Sequence, residues 1–185
     1  DIRLIIDESF VDFAEEETTL IEQKTLNENP HLFVMKSISK SYGVPGLRLG
    51  VLASGDVERI AAIKKDVAIW NINSFAEYYM QIAEKYKKDY VRALAAVKAE
   101  RARYTAQLQK IKHLRVIPSQ ANYVMVEVCG KYTAKELVKI LLLKYNLFVK
   151  DLTKKAGGQY LRLAIRDEAD DDKLLTALKA ELGSI

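Results

Sequence analysis

The sequence predicts an α/β layered domain followed by a smaller α+β module. Three observations carry that prediction. Apolar, strand-like runs end in polar residues near positions 7 and 37; a long stretch from 74 to 112 has helical spacing and no Gly or Pro; after it, short strands alternate with helices again. The composition agrees. Of 185 residues, 49% are hydrophobic and 29% charged, which suits a chain that buries an ordered core. The net charge of +4 is spread along the chain, so neither a nucleic acid nor a membrane surface is an expected partner. Cys129 is the single cysteine, so there is no disulfide framework, and no Cys/His cluster has metal-ligand spacing. The apolar runs are far shorter than the roughly 20 residues of a membrane span. No signal peptide pattern is visible, and a cytoplasmic location is expected. The sequence opens inside a strand pattern without an initiator Met, as a fragment of a longer protein does.

Taken in order, Leu4, Ile5 and Ile6 form a continuous apolar run with the look of a buried parallel strand, closed by Asp7, Glu8 and Ser9. Residues 18–27 suit a short helix, broken at Asn29-Pro30, and residues 31–36 suit a second buried strand. A loop rich in small residues spans 37–46, and a strand is expected over 47–53. Asp56 can cap a helix running to about Ala68. Tyr78, Tyr79, Ile82, Tyr86, Tyr90, Leu94 and Val97 fall at three- and four-residue spacings, giving one long helix or two joined ones. Strands over 114–117, 122–128, 148–151 and 160–165 then alternate with helices over 133–144 and 168–182.

The chemistry concentrates at Ser37-x-Ser39-Lys40, with Gly43, Gly46, Arg48 and Gly50 following. If the strand continued through them, Ser37 and Ser39 would share a face beside Lys40. Ligands in α/β sheets bind beyond the carboxyl ends of strands, which suits two hydroxyls and a guanidinium to a phosphate and the lysine to nucleophilic work. A solvated Ser/Gly-rich loop with no function is the competing reading of the same tripeptide. In the late strand, alternation sets Leu161, Leu163 and Ile165 on one face and Arg162, Ala164 and Arg166 on the other. Arg166 is then either a second anion site or a strand-end partner of Asp167 or Glu168.

This pattern resembles the Schiff-base lysine region of the fold-type-I pyridoxal-phosphate enzymes, S-x-S-K-x-x-G-x-x-G-x-R-x-G. Asp7-Glu8-Ser9-Phe10 resembles the matching D-E-[AS]-[FY] signature of the histidinol-phosphate aminotransferase subgroup. Pro118-Ser119-x-Ala121-Asn122-Tyr123 and Leu161-Arg162-Leu163 extend the likeness over the whole chain. The resemblance implies the C-terminal part of the large domain, a mostly parallel sheet, over residues 1–85. It implies the small α+β domain, with an interdomain helix, over 86–185. It also implies pyridoxal 5′-phosphate as cofactor, with Lys40 as the aldimine lysine and proton shuttle. Asp7 would pair with the pyridine nitrogen, Phe10 would lie by the ring, and Ser37, Ser39 and Arg48 would grip the phosphate. Arg162 would take the substrate α-carboxylate, and Trp70-Asn71-Ile72-Asn73 would lie near the axis of a homodimer; beside these, Arg166 is a candidate substrate contact from the alternation, and Asn122, at a strand start, either bonds the backbone or faces the substrate.

Phe10 stands where many aminotransferases of the subgroup carry Tyr, a feature shared with threonine-phosphate decarboxylase-like relatives. The expected reaction is amino transfer between an amino acid, or an amino-alcohol phosphate, and a 2-oxo acid. The alternatives are decarboxylation of a phosphorylated amino acid and a non-catalytic folded or dimerisation module of a longer protein. The glycine/serine phosphate loop, the ring-stacking aromatic and the Asn-Pro strand end of the family are absent from the sequence. Weak cofactor affinity, no turnover and self-association through residues 1–73 are therefore expected of these 185 residues alone.

Overall fold

The computed structural model describes residues 2–16 and 18–185; Asp1, the first residue of the expected strand run, and Glu17 lie outside the described residues. The chain forms two compact units, residues 1–94 and 95–185.

The first unit is built on a three-stranded sheet of order β1-β2-β3, formed by β1 (Leu4–Asp7), β2 (Leu32–Ser37) and β3 (Gly50–Ser54). β1 and β2 run parallel, with Leu4 opposite Leu32 and Asp7 opposite Met35, while β3 returns antiparallel along β2. α1 (Gln23–Glu28) connects β1 to β2. Leu26, Leu32 and Val34 are buried together with Ile6, Leu20, Ile21 and Ala53 around them. Gly55 is obligatory in this packing, because a Cβ there would stand 2.1 Å from the Leu26 carbonyl oxygen.

Four expectations change here. Leu4 and Ile5 are 55% and 66% exposed rather than buried, because β1 is an edge strand with nothing beyond it among the described residues. The expected helix over 18–27 is shorter at its start. Buried Glu8 accepts hydrogen bonds from the Leu20 amide (2.7 Å) and the Thr19 hydroxyl (2.8 Å), drawing that stretch out of helical pairing. β2 ends at Ser37, and Ile38–Ser41 turns as a short helix, α2. Ser39 is thus on a helical turn and not on the strand face shared with Ser37. A 3-10 turn at Pro45–Leu47 delays β3 to Gly50.

α3 (Val57–Asp66) starts at Asp56, whose carboxylate accepts the Arg59 amide at 2.8 Å. The long helical stretch is two helices, α4 (Ser74–Ile82) and α5 (Lys87–Leu108), joined by a 3-10 turn at Ala83–Tyr86. The boundary between the units falls inside α5.

The second unit is an antiparallel sheet of order β4-β5-β7-β6: β4 (Leu114–Ile117), β5 (Tyr123–Val128), β6 (Lys150–Asp151) and β7 (Tyr160–Ala164). α6 (Ala134–Tyr145), the short α7 (Thr153–Ala156) and α8 (Glu168–Leu182) complete it. Alternation works as the sequence requires: Val124, Val126, Leu161 and Leu163 are fully buried, against Leu137, Leu141 and Leu178 of the helices. Thr133 and Glu136 form a reciprocal capping box that starts α6.

Leu163 sits at the centre of this core, whereas Leu143 is 73% exposed. Leu163→Ala is expected to cost about 2–5 kcal/mol and Leu143→Ala no more than about 0.5. Denaturant melting of the two variants checks this, and equal losses would mean that Leu163 is not a core residue.

Candidate functional site

The parallel register of β1 and β2 brings Asp7 to the same sheet end as the residues leading into Lys40. Ser9 ties the two strand ends together. Its hydroxyl donates to Asp7 Oδ1 at 2.5 Å and accepts the Ser37 amide at 3.0 Å, and its own amide donates to Asp7 Oδ1 at 2.9 Å. These bonds hold the Asp7 carboxyl below its ordinary range: the Ser9 hydroxyl contributes most and the Ser9 amide next, with partial burial opposing and the positive charge of Lys40 assisting. A carboxylate kept ionised at a strand end, under the field of an amine, is the donor set that suits a protonated ring nitrogen. Ser9, missed in the sequence reading as a working residue, is legible only as the third letter of the Asp-Glu-Ser-Phe run.

Lys40 lies exposed on α2. Arg48 is exposed too, in the left-handed region at φ 56°, and its guanidinium spends one long bond (3.3 Å) on the Pro45 carbonyl. A non-glycine residue held at positive φ is strained and marks a position whose side-chain direction the fold specifies. Ser39 departs from expectation: it is buried, and its hydroxyl reaches the Leu49 carbonyl at 3.5 Å, so it packs the turn from within. Phe10 is half-buried, with its ring centroid 6.3 Å from that of Phe13.

On the other face of the same strand end, Asp12 forms an ion pair with Lys36 at 2.5 Å. Burial raises the Asp12 carboxyl, but Lys36 and the Ser41 and Tyr90 hydroxyls outweigh it and leave the group below its ordinary value. Tyr90 is pushed above the ordinary tyrosine value, chiefly by burial.

In the second unit Arg162, Ala164 and Arg166 are exposed on one face of the late strand run, while Leu161, Leu163 and Ile165 are buried on the other, as alternation requires. The register adds a residue that the sequence reading missed. Lys150 of β6 is directly opposite Arg162 of β7, on the same face. Lys150, Arg162 and Arg166 line one cavity of about 420 Å³, together with Asn146, Phe148 and the α8 residues Asp170 and Asp171. Arg162 lies over the Tyr123 ring, 5.3 Å from its centroid. Arg166 Nε bonds Asp170 at 2.8 Å, so its acidic partner is neither Asp167 nor Glu168. Asn122 does not line this cavity; its backbone carbonyl accepts the Ile165 amide at 3.0 Å.

Asp171 is the buried carboxylate of the cavity lining. It is 2% exposed and accepts the Arg166 amide on both carboxylate oxygens at 3.2 Å. Burial pushes its carboxyl up to about 7, and the Glu100 carboxylate adds to this. Glu100 is itself held low, mainly by the Arg103 guanidinium.

The profile of the family described as aminotransferase class I and II matches residues 1–178. The chain belongs to that family. It is 33% identical to the L-serine phosphate decarboxylase of Sulfurospirillum multivorans over 97% of its length, and 31% identical to the threonine-phosphate decarboxylase of Salmonella typhimurium over 100%. It spans about half of both, 47% and 50%. Its fold matches the crystal structure of the histidinol-phosphate aminotransferase from Clostridium acetobutylicum with a TM-score of 0.86 and 30% identity, over 97% of this chain and 54% of that one. The membership bears out the fold-type-I architecture and pyridoxal phosphate as the family's cofactor. No helix among the described residues is long and apolar enough to cross a membrane, and the described residues contain no group of His, Cys, Asp or Glu that could hold a metal ion.

Asp171 gives the second unit a pH dependence. Its folded value near 7 stands above the ordinary 3.8, so folding favours the protonated form. That contribution is full below pH 3.8 and is lost as the pH rises through 7. Glu100, shifted the opposite way from 4.5, loses its contribution as the pH falls below 4.5, overlapping only the acid end of that window. Asp171→Asn is expected to flatten the fall in stability between about pH 4 and 7; an unchanged slope in urea melts across that range would contradict the assignment.

Proposed function

We propose that this chain belongs to a pyridoxal-phosphate-dependent enzyme that decarboxylates a phosphorylated amino acid. The observation that carries the reading is the cavity lined by Lys150, Arg162 and Arg166. An α-carboxylate needs one forked guanidinium; two more cations beside it suit a second group of about two negative charges, as a phosphate monoester is. Like charges set directly opposite across a ladder repel, so the Lys150–Arg162 pair lowers its energy by binding an anion between them. The names of the two phosphorylated-amino-acid decarboxylases agree with this chemistry. Transamination, the first expectation from the sequence, remains the second reading, and the likeness to histidinol-phosphate aminotransferases supports it.

In this reading Lys40 Nζ would carry the cofactor, Asp7 would hold a proton on its ring nitrogen, and Ser37 and Arg48 would hold its phosphate. Ser39 supports the turn from within and Phe10 flanks the ring. The bound cofactor supplies an electron sink for the bond broken at the substrate Cα. Arg162 would grip the α-carboxylate, and Lys150 and Arg166 would hold the phosphate of the substrate. For decarboxylation, the bond to the carboxylate would break with loss of carbon dioxide, and Lys40, once released from the cofactor by the substrate amine, would be the group to return a proton to Cα. Homodimer formation is part of the proposal, supported by exposed Ile69, Trp70 and Phe75.

Two measurements test it. Borohydride treatment of the chain with pyridoxal phosphate is expected to leave the label on Lys40 and none in Lys40→Ala; peptide mapping to another lysine would defeat the assignment. In the enzyme containing this chain, O-phosphoserine is expected to yield carbon dioxide rather than an oxo acid. Lys150→Met should weaken that substrate about tenfold or more while leaving serine binding unchanged. Release of an oxo acid instead would favour transamination.

A further inference from the structure

Of the three cations lining the cavity of the second unit, Arg166 has an acidic partner in the same lining, Asp170. Arg166 Nε bonds Asp170 Oδ2 at 2.8 Å, and the other oxygen of that carboxylate, Oδ1, accepts Lys173 Nζ at 2.9 Å. Lys173 lies outside the cavity lining, on the neighbouring groove with Tyr145 and Thr176. One carboxylate is thus shared between a cation that faces the cavity and a cation that does not.

The backbones of the pair are fixed, while the side chains meet close to solvent. The Arg166 amide donates to both oxygens of buried Asp171 at 3.2 Å, and the Asp170 amide donates to the Asp167 carboxylate at 2.8 Å. The Arg166 side chain is 67% exposed, so the two can part by side-chain rotation alone and at small cost. Asp170 is not left without a partner when they part. Lys173 stays on Oδ1, and the first turn of α8, where Asp170 stands, favours a negative charge. What Arg166 gains depends on the incoming group. A carboxylate brings one charge, no more than Asp170 already gives, whereas a phosphate monoester brings about two and three strong acceptor oxygens.

We propose that Asp170 is an internal stand-in for the substrate's second anionic group: it holds Arg166 in the free cavity and releases it to a phosphate, keeping Lys173 as its partner, while a singly charged group leaves the Arg166–Asp170 pair in place. Asp170 is then a specificity-determining residue, because it offers the third cation of the cavity only to a doubly charged ligand. Resting on the assignment of the cavity as an anion site, the exchange can fail while that site stands.

The test uses the 185-residue chain with inorganic phosphate at about pH 8, close to two charges, and acetate as the singly charged probe. Carbon NMR follows Lys150 Cε, Arg166 Cζ and Asp170 Cγ. Phosphate is expected to move all three signals in the parent, and acetate to leave those of Arg166 and Asp170 in place. Asp170→Asn keeps the shape of the side chain and the backbone bond to Asp167. In that variant acetate should move Arg166 as well, and phosphate should bind about threefold or more tighter. Lys173→Met, which leaves a released Asp170 without its cation, should weaken phosphate about twofold or more in the parent and not at all in the Asp170→Asn background. Three results each overturn the exchange and keep the anion cavity: phosphate that moves Lys150 alone, Asp170→Asn that binds phosphate no tighter, or Lys173→Met with the same effect in both backgrounds. Phosphate that moves none of the three signals overturns the cavity assignment and the exchange with it.

Discussion

The parallel pairing of β1 with β2 is the constraint on which the first unit depends. A slip of one residue would turn Asp7 to the opposite face and separate it from Ser9's partners. Ser9 guards the register at its far end, where one hydroxyl both donates to Asp7 and accepts from the first amide beyond Lys36. Glu8, between them, continues the ladder through its amide to the Met35 carbonyl at 2.8 Å while its side chain fastens the chain at Thr19 and Leu20. Three consecutive residues thus present a carboxylate, pin a loop and lock a register.

The second unit solves a different problem: gathering positive charge on a stable surface. Leu161 and Leu163 anchor β7 in the core, and period-two alternation forces Arg162 outward between them. The antiparallel register then sets Lys150 opposite. Both side chains are exposed, so water screens part of the repulsion between their charged heads. Arg166 is steadied by Asp170 on α8, and its backbone amide by buried Asp171.

Local patterns made much of this legible. The alternation in residues 160–165 and the Asp56 cap each specify their own geometry over a few residues. Features set by partners distant in sequence were not legible. Helix formation before Gln23 is overruled by Glu8, which stands 11 and 12 residues from its partners. Ser39 turns inward because the strand stops at Ser37, and Leu49 offers its carbonyl. Lys150 comes to lie opposite Arg162 only when β6 pairs with β7. Leu4 and Ile5 read as buried because a sequence shows apolarity and not whether a neighbouring strand is there to cover it.

The central claim is that the β1–β2 register holds the Asp7 carboxylate in the field of the Lys40 ammonium, so that the two act on one bound group. The direct measurement is the NMR titration of the Asp7 carboxyl carbon in the parent chain and in Lys40→Ala. Loss of the lysine charge is predicted to move the Asp7 midpoint upward, while the Ser9 bonds keep it below 3.8. An Asp7 carboxyl that titrates identically in both proteins would mean that the two residues do not share a site.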